Sequence, residues 1–225
     1  MATRRNWVDR VSALTGILAV ILWIGGVAVM GTDHLALPGG LPEEGAGAVL
    51  EHLRANQDSV VSGSWLFMVG SVAFIWFAGM LRSRLIAPEG GVGTFTAIAF
   101  GGGVATGALS LGMPAGGLIA ALGAGHVDAS AAQALNAVEA IFFVGAELSA
   151  IVLVAATSVV VARTGVLARW WAVAGTLLAV WLVIAPIGWV GLLVGLPLWT
   201  LGTSVMLLQR LDRRPEPVGR GATSG

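Results

Sequence analysis

Six apolar segments, at residues 11–31, 61–82, 93–122, 131–161, 168–186 and 189–208, constrain this chain more than any other feature. Each approaches or exceeds the ~20 residues that an α-helix needs to cross the ~30 Å hydrocarbon layer of a bilayer. A backbone in lipid must satisfy its own N–H and C=O groups, so long apolar runs of this kind are read as helices. Composition points the same way, with 56% of residues hydrophobic and 11% charged, less than half of the ~25% charge of an ordinary soluble domain. Water-soluble α/β and all-β folds are thereby excluded. The expected fold is all-α: a polytopic bundle of six transmembrane helices over residues 1–210, followed by a polar tail, 211–225, read as disordered and cytoplasmic.

Orientation follows from charge. All twelve basic residues are arginine, which with the abundance of Ala, Gly and Val fits a GC-rich bacterial genome. With the N-terminus inside, Arg4, Arg5, Arg10, Arg82, Arg84, Arg163, Arg169, Arg210, Arg213, Arg214 and Arg220 fall on cytoplasmic ends, and Arg54 alone falls outside. This asymmetry satisfies the positive-inside rule at every loop and supports an even number of spans. The expectation is a multi-pass protein of the bacterial inner (plasma) membrane with both termini cytoplasmic. MATRRNWVDR resembles the start of a signal peptide. The apolar stretch behind it exceeds the ~7–15 residues of such a signal and lacks a small-x-small cleavage site, so it reads as a retained helix, with cleavage as the alternative. The longest loop, 32–60, lies outside and contains a short helix starting near Pro42, to which Val49, Leu50 and Leu53 give an apolar side. Trp7, Trp65, Trp170, Trp171 and Trp189 fall at interfaces, whereas Trp23, Trp76, Trp181 and Trp199 sit deeper and read as packing residues.

Lipid-immersed helices approach closely only through small side chains. The third segment supplies them, with Gly103 and Gly107 four residues apart and Gly102, Thr106 and Ser110 on the adjacent ridge, so this helix is expected at the centre of the bundle. Pro114, among Gly112, Gly116 and Gly117, breaks or kinks it. Entry into an outer loop is the plainer reading of that break, and a discontinuous helix of the kind that marks transport sites is the alternative. Gly191 and Gly195 form a second small pair, and residues 185–191 read as a tight, partly embedded turn.

The fourth segment carries the strongest functional signal. At 100° per residue, Gln133, Asn136, Glu139, Glu147, Thr157 and Ser158 share one face about 120° wide, which must look into the bundle. An ionised side chain at that depth costs ~2.5–3.5 kcal/mol even on lenient insertion scales, and the topology brings no Arg into the core. Both glutamates are therefore expected to be neutral, with Thr106, Ser110 or Asn136 as hydrogen-bond partners of Glu147. Paired catalytic carboxyls stand ~5–9.5 Å apart, whereas eight residues of helix separate these two by about 12 Å. No catalytic residue is assigned. Glu139, Glu147, Asn136, Gln133, Thr106 and Ser110 are candidates for binding or relaying a proton, cation or small amphiphile. Two other readings stay open: an accessory subunit whose glutamates only bond helices together, and, with least support, an intramembrane hydrolase or metal enzyme.

Other sites are weaker. His34, His52 and His126 map to the outside with Asp33, Glu43, Glu44, Glu51 and Asp128, but no metal-binding spacing occurs, and solvated loop residues are the simpler reading. With no cysteine there is no thiol chemistry. The glycines lack the context of a nucleotide fingerprint. Neither cofactor nor nucleic acid is expected; the partners are the lipid bilayer, a small ligand or ion, and, as an allowed arrangement, further copies of the same chain. The elements FAGMLRSRL (77–85), TGVLARWWAVAG (164–175) and the long outer loop resemble a group of uncharacterised six-helix actinobacterial-type integral membrane proteins. Ala168 stands where that group carries proline. The resemblance implies a six-helix integral membrane protein of unknown function and no catalytic residue.

Overall fold

The computed structural model describes residues 2–31, 51, 53–123, 126–184 and 187–212, with the side chains of 2–10, 12, 129, 133 and 212 left out. Among these residues every regular element is a helix. In chain order they are α1 (Ala2–Met30), α2 (Gln57–Glu89), α3 (Thr94–Gly112), α4 (Ala115–Leu122), α5 (Ala129–Thr164), α6 (Arg169–Val183), the short turn α7 (Gly188–Val190), a wider π-turn (Gly191–Gly195) and α8 (Leu196–Asp212). Residues 42–50, where the outer-loop helix was expected to begin, the tail from 213 onward, His34 and His52 lie outside the described residues.

Five helical stretches are long and apolar enough to cross a membrane: Ala13–Met30, Gln57–Glu89, Thr94–Leu122, Ser130–Thr164 and Gly188–Leu211. The sixth apolar helix, α6, has 15 residues and is about 22 Å long, short of the ~30 Å hydrocarbon layer.

Glycines set how closely the helices approach. A Cβ on Gly26 of α1 would lie 2.8 Å from the Gly63 carbonyl of α2, and one on Gly63 would lie 2.6 Å from the Gly26 carbonyl. These two backbones touch, a crossing that the sequence reading missed. The small face of α3 divides between two neighbours. Gly102 meets the backbone of Leu153 and Ser149 on α5, while Gly103 and Gly107 meet Ala78 and Ile75 on α2. Between them Phe74 and Phe77, fully buried, and Trp23, 6% exposed, fill the centre, with the Trp23 and Phe74 rings 4.9 Å apart. The Trp23 indole N–H donates to Ser71 Oγ at 3.0 Å. Trp199 is also buried, as expected of a packing residue, but Trp76 is 68% exposed and faces outward. Sequence position gives depth along a helix, not the direction in which a side chain leaves it.

Charge collects at the two ends of α5. At its C-terminal end the Arg163 guanidinium lies 4.7 Å from the Phe95 ring, Arg82 lies 5.5 Å from Phe100, and Arg210 reaches the Gly165 carbonyl. Glu89, closing α2, accepts from the first free backbone N–H groups of α3, Phe95 and Thr96, both at 2.8 Å. At the opposite end Arg54 reaches the Val127 carbonyl at 3.4 Å. Asp128 caps α5 there, accepting from the Ala131 N–H and the Ser130 hydroxyl, and these two bonds hold its carboxyl below the usual aspartate range.

Candidate functional site

The face inferred from helical periodicity is buried. Asn136, Glu139, Phe143, Glu147, Thr157 and Ser158 are each at most 8% exposed, while Val138, Ile141, Val144, Leu148 and Val152 on the other side of α5 are 42–71% exposed. Gln133 lies on α5 one turn before Asn136; its side chain is outside the described set.

The two glutamates meet different elements, and both elements are helix starts within the bundle. At Met113–Pro114 the third segment breaks, because Pro114 has no N–H to continue the ladder and crowds the preceding turn. The chain resumes as α4, whose Gly116, Gly117, Ala120 and Ala121 are buried; the discontinuous-helix alternative, rather than entry into a loop, describes this region. The first turn of α4 rests on Glu139. Gly117 N–H donates to Glu139 Oε1 at 2.7 Å, so the carboxyl occupies the place where the free N–H groups and the positive end of a helix favour an acceptor. Gly116 makes this approach possible, since a Cβ there would lie 2.6 Å from the Leu135 carbonyl and 3.0 Å from Glu139 Cδ.

Eight residues further along α5, Glu147 packs against Gly188, the first residue of α7. A Cβ on Gly188 would collide with Glu147 Oε1 and lie 2.8 Å from the Leu182 carbonyl. The following residues form the π-turn Gly191–Gly195. Pro197 explains the widening, because it cannot donate to the Leu193 carbonyl and its ring crowds that oxygen. Gly191 and Gly195 then pack on Leu182 and Leu178 of α6.

Two cavities adjoin these elements. A small one of about 10 Å³ lies between α4 and α5, lined by Asn136, Glu139 and Leu53, the last only 3% exposed. The Asn136 Oδ1 that borders it has no hydrogen-bond partner. A larger apolar cavity of about 470 Å³ lies between α1, α3 and the last helix, with Trp23, Val27, Met113, Leu192 and Leu196 in its wall and Ser110 as its polar residue.

The structure thus brings Asn136 and Glu139 together at one small cavity, whose lining does not include Thr106 or Ser110. The Thr106 hydroxyl donates to the Gly102 carbonyl of its own helix at 2.8 Å, and Ser110 borders the larger cavity. Among the described residues no hydrogen bond reaches the Glu147 carboxyl, so the partners expected for it are not seen. His126 is exposed, and among the described residues no three His, Asp or Glu side chains gather where a metal could be held. Gly116, Gly117 and Gly188 are site residues that sequence reasoning treated only as packing or turn positions; the glycine cluster around Pro114 was the available signal.

Comparison with protein-family models, with curated proteins and with solved structures finds no match. What fold and site together define is a class: an all-helical protein with five helices long and apolar enough to span a membrane, and two acidic side chains buried on one helix.

Proposed function

We propose that the chain is a six-helix inner-membrane protein, akin to the uncharacterised actinobacterial group it resembles, that handles protons along the inward face of α5. Both termini are cytoplasmic in this reading, supported by the gathering of Arg82, Arg163 and Arg210 at one end of α5 with Arg54 at the other. Glu139 and Glu147 bind and release the protons. The observation that carries the proposal is that each carboxyl lies at the start of a helix beginning inside the bundle, one at α4 and one at α7. Intramembrane acids facing a bundle interior at interrupted helices are the usual components of proton and ion paths. A second reading, binding of a small amphiphile, is supported by the 470 Å³ cavity with its single hydroxyl at Ser110.

The test is proton flux into proteoliposomes carrying an entrapped pH-sensitive dye, driven by a potassium diffusion potential. Wild-type protein is expected to acidify or alkalinise the lumen faster than empty vesicles, and Glu139→Gln, Glu147→Gln and the double variant to lower that rate at unchanged folding. Flux equal to that of empty vesicles, or a double variant as fast as wild type, rejects the proposal.

A further inference from the structure

The void between α4 and α5 has features that the helix contacts alone do not require. Its volume, about 10 Å³, is close to the space one water molecule occupies and far below that of an organic ligand. Asn136, 8% exposed, turns an unpartnered Oδ1 onto it. A buried amide oxygen left without a donor is costly, and a water-sized cavity with polar groups on two sides is the ordinary remedy. Glu139 provides the second polar wall, its carboxyl held in place by Gly117 N–H. Leu53, from the segment that precedes α2, also lines the void and joins Val60, Ala120 and Ala121 in a small apolar cluster, with Leu135 packed against it.

We infer that this void is a binding site for a single water molecule, bridging Asn136 Oδ1 and the Glu139 carboxyl, and that Leu53 seals it from the extracytoplasmic side. The inference rests on the proton-handling reading only for its purpose: the water is the species through which Glu139 exchanges protons with the outside. Water suits the site because it donates to Asn136 Oδ1 and can either donate to or accept from the carboxyl, following its protonation. A metal cation would meet oxygens from only two side chains, and the positive end of α4. Among the described residues the charged neighbours are few. α4 carries no ionisable side chain, the segment before α2 brings Glu51 and Arg54, and α2 begins with Asp58; all three of these are exposed, as are His126 and Asp128 ahead of α5. Glu147 lies two turns deeper.

Radiolytic hydroxyl footprinting with mass spectrometry tests this on the full-length protein in nanodiscs, since a bound water generates radicals that mark the side chains touching it. Leu53, which lines the void and is 3% exposed, is expected to be modified roughly tenfold faster than Leu153, which is buried in the dry core. In H₂¹⁸O the mark on Ala132, a second wall residue, should acquire the heavy isotope slowly in the parent protein and roughly tenfold faster in Leu53→Ala, whose seal has lost three buried carbons. Asn136→Leu should abolish the marking of Leu53. Modification of Leu53 no faster than Leu153 in the unaltered protein overturns the site whatever the variants do. Isotope uptake unchanged in Leu53→Ala overturns the seal. Proton flux absent with the footprint intact overturns the transport reading and leaves the water site standing.

Discussion

The contact between α4 and Glu139 depends on the missing side chain at Gly116, and Gly116→Ala measures that dependence. The added Cβ would stand 2.6 Å from the Leu135 carbonyl, about 0.8 Å inside ordinary van der Waals distance, and that oxygen belongs to helix backbone that cannot swing aside. If α4 moves outward by this amount, the 2.7 Å bond from Gly117 N–H to Glu139 stretches to about 3.5 Å, at which it is no longer a hydrogen bond. Overpacking costs about 1–3 kcal/mol and loss of a buried bond to a carboxyl about 1.5–3 kcal/mol. Alanine returns about 1 kcal/mol of helix propensity. The net expectation is a destabilisation of about 1.5–5 kcal/mol. Gly101→Ala is the matched control, because Gly101 is an exposed residue of α3 whose Cβ would meet nothing within 4 Å; it should be neutral or stabilising by up to about 1 kcal/mol. Reversible unfolding by SDS titration in mixed micelles gives both values. Equal stability of Gly116→Ala, Gly101→Ala and wild type would refute the close α4–α5 contact and with it the cradle for Glu139.

Further tests address the surroundings. Ser71→Ala removes the acceptor of the buried Trp23 N–H; a loss of about 0.6–2 kcal/mol and a changed tryptophan emission spectrum are expected, and an unaltered unfolding curve counts against this bond. Ala168 caps α6 with φ −60° and ψ 137°, angles that proline adopts. Ala168→Pro should therefore stabilise by about 0.4–1 kcal/mol, and a lowered unfolding midpoint would show that the α5–α6 turn differs from the one described. Asp128 has a carboxyl held below its ordinary value of 3.8 by its cap bonds. A depressed acid stabilises the fold above its unfolded pKa, and that contribution disappears as pH falls through the folded value. Asp128→Asn should accordingly flatten the acid limb of stability against pH below about 4, and an acid limb matching wild type would remove the cap from the account.

How much of this was legible in the sequence can be judged residue by residue. The burial of Asn136, Glu139 and Glu147 on one side of α5 followed from 100° periodicity, and the small face of α3 followed from Gly102, Gly103 and Gly107. The break at Pro114 was also visible, since proline interrupts a ladder wherever it falls. Thr106 and Ser110 were expected as hydrogen-bond partners of Glu147; Thr106 instead donates to the Gly102 carbonyl of its own helix and Ser110 borders the larger cavity, since a position on a helix does not say which acceptor a hydroxyl will choose. Trp76 was misplaced because its position gave depth and not the direction in which its side chain leaves the helix.

The sequence by itself determined that the chain is helical and apolar, because runs of about 20 apolar residues can satisfy their own backbone polar groups only as helices. It also determined which side of α5 turns inward, since carboxyls and amides are costly against lipid. Only the tertiary structure decided what meets them there. Gly117 lies 22 positions before Glu139 and Gly188 lies 41 positions after Glu147. Such pairings depend on the order and rotation of helices whose apolar faces are chemically alike, and so leave no periodic trace in the sequence.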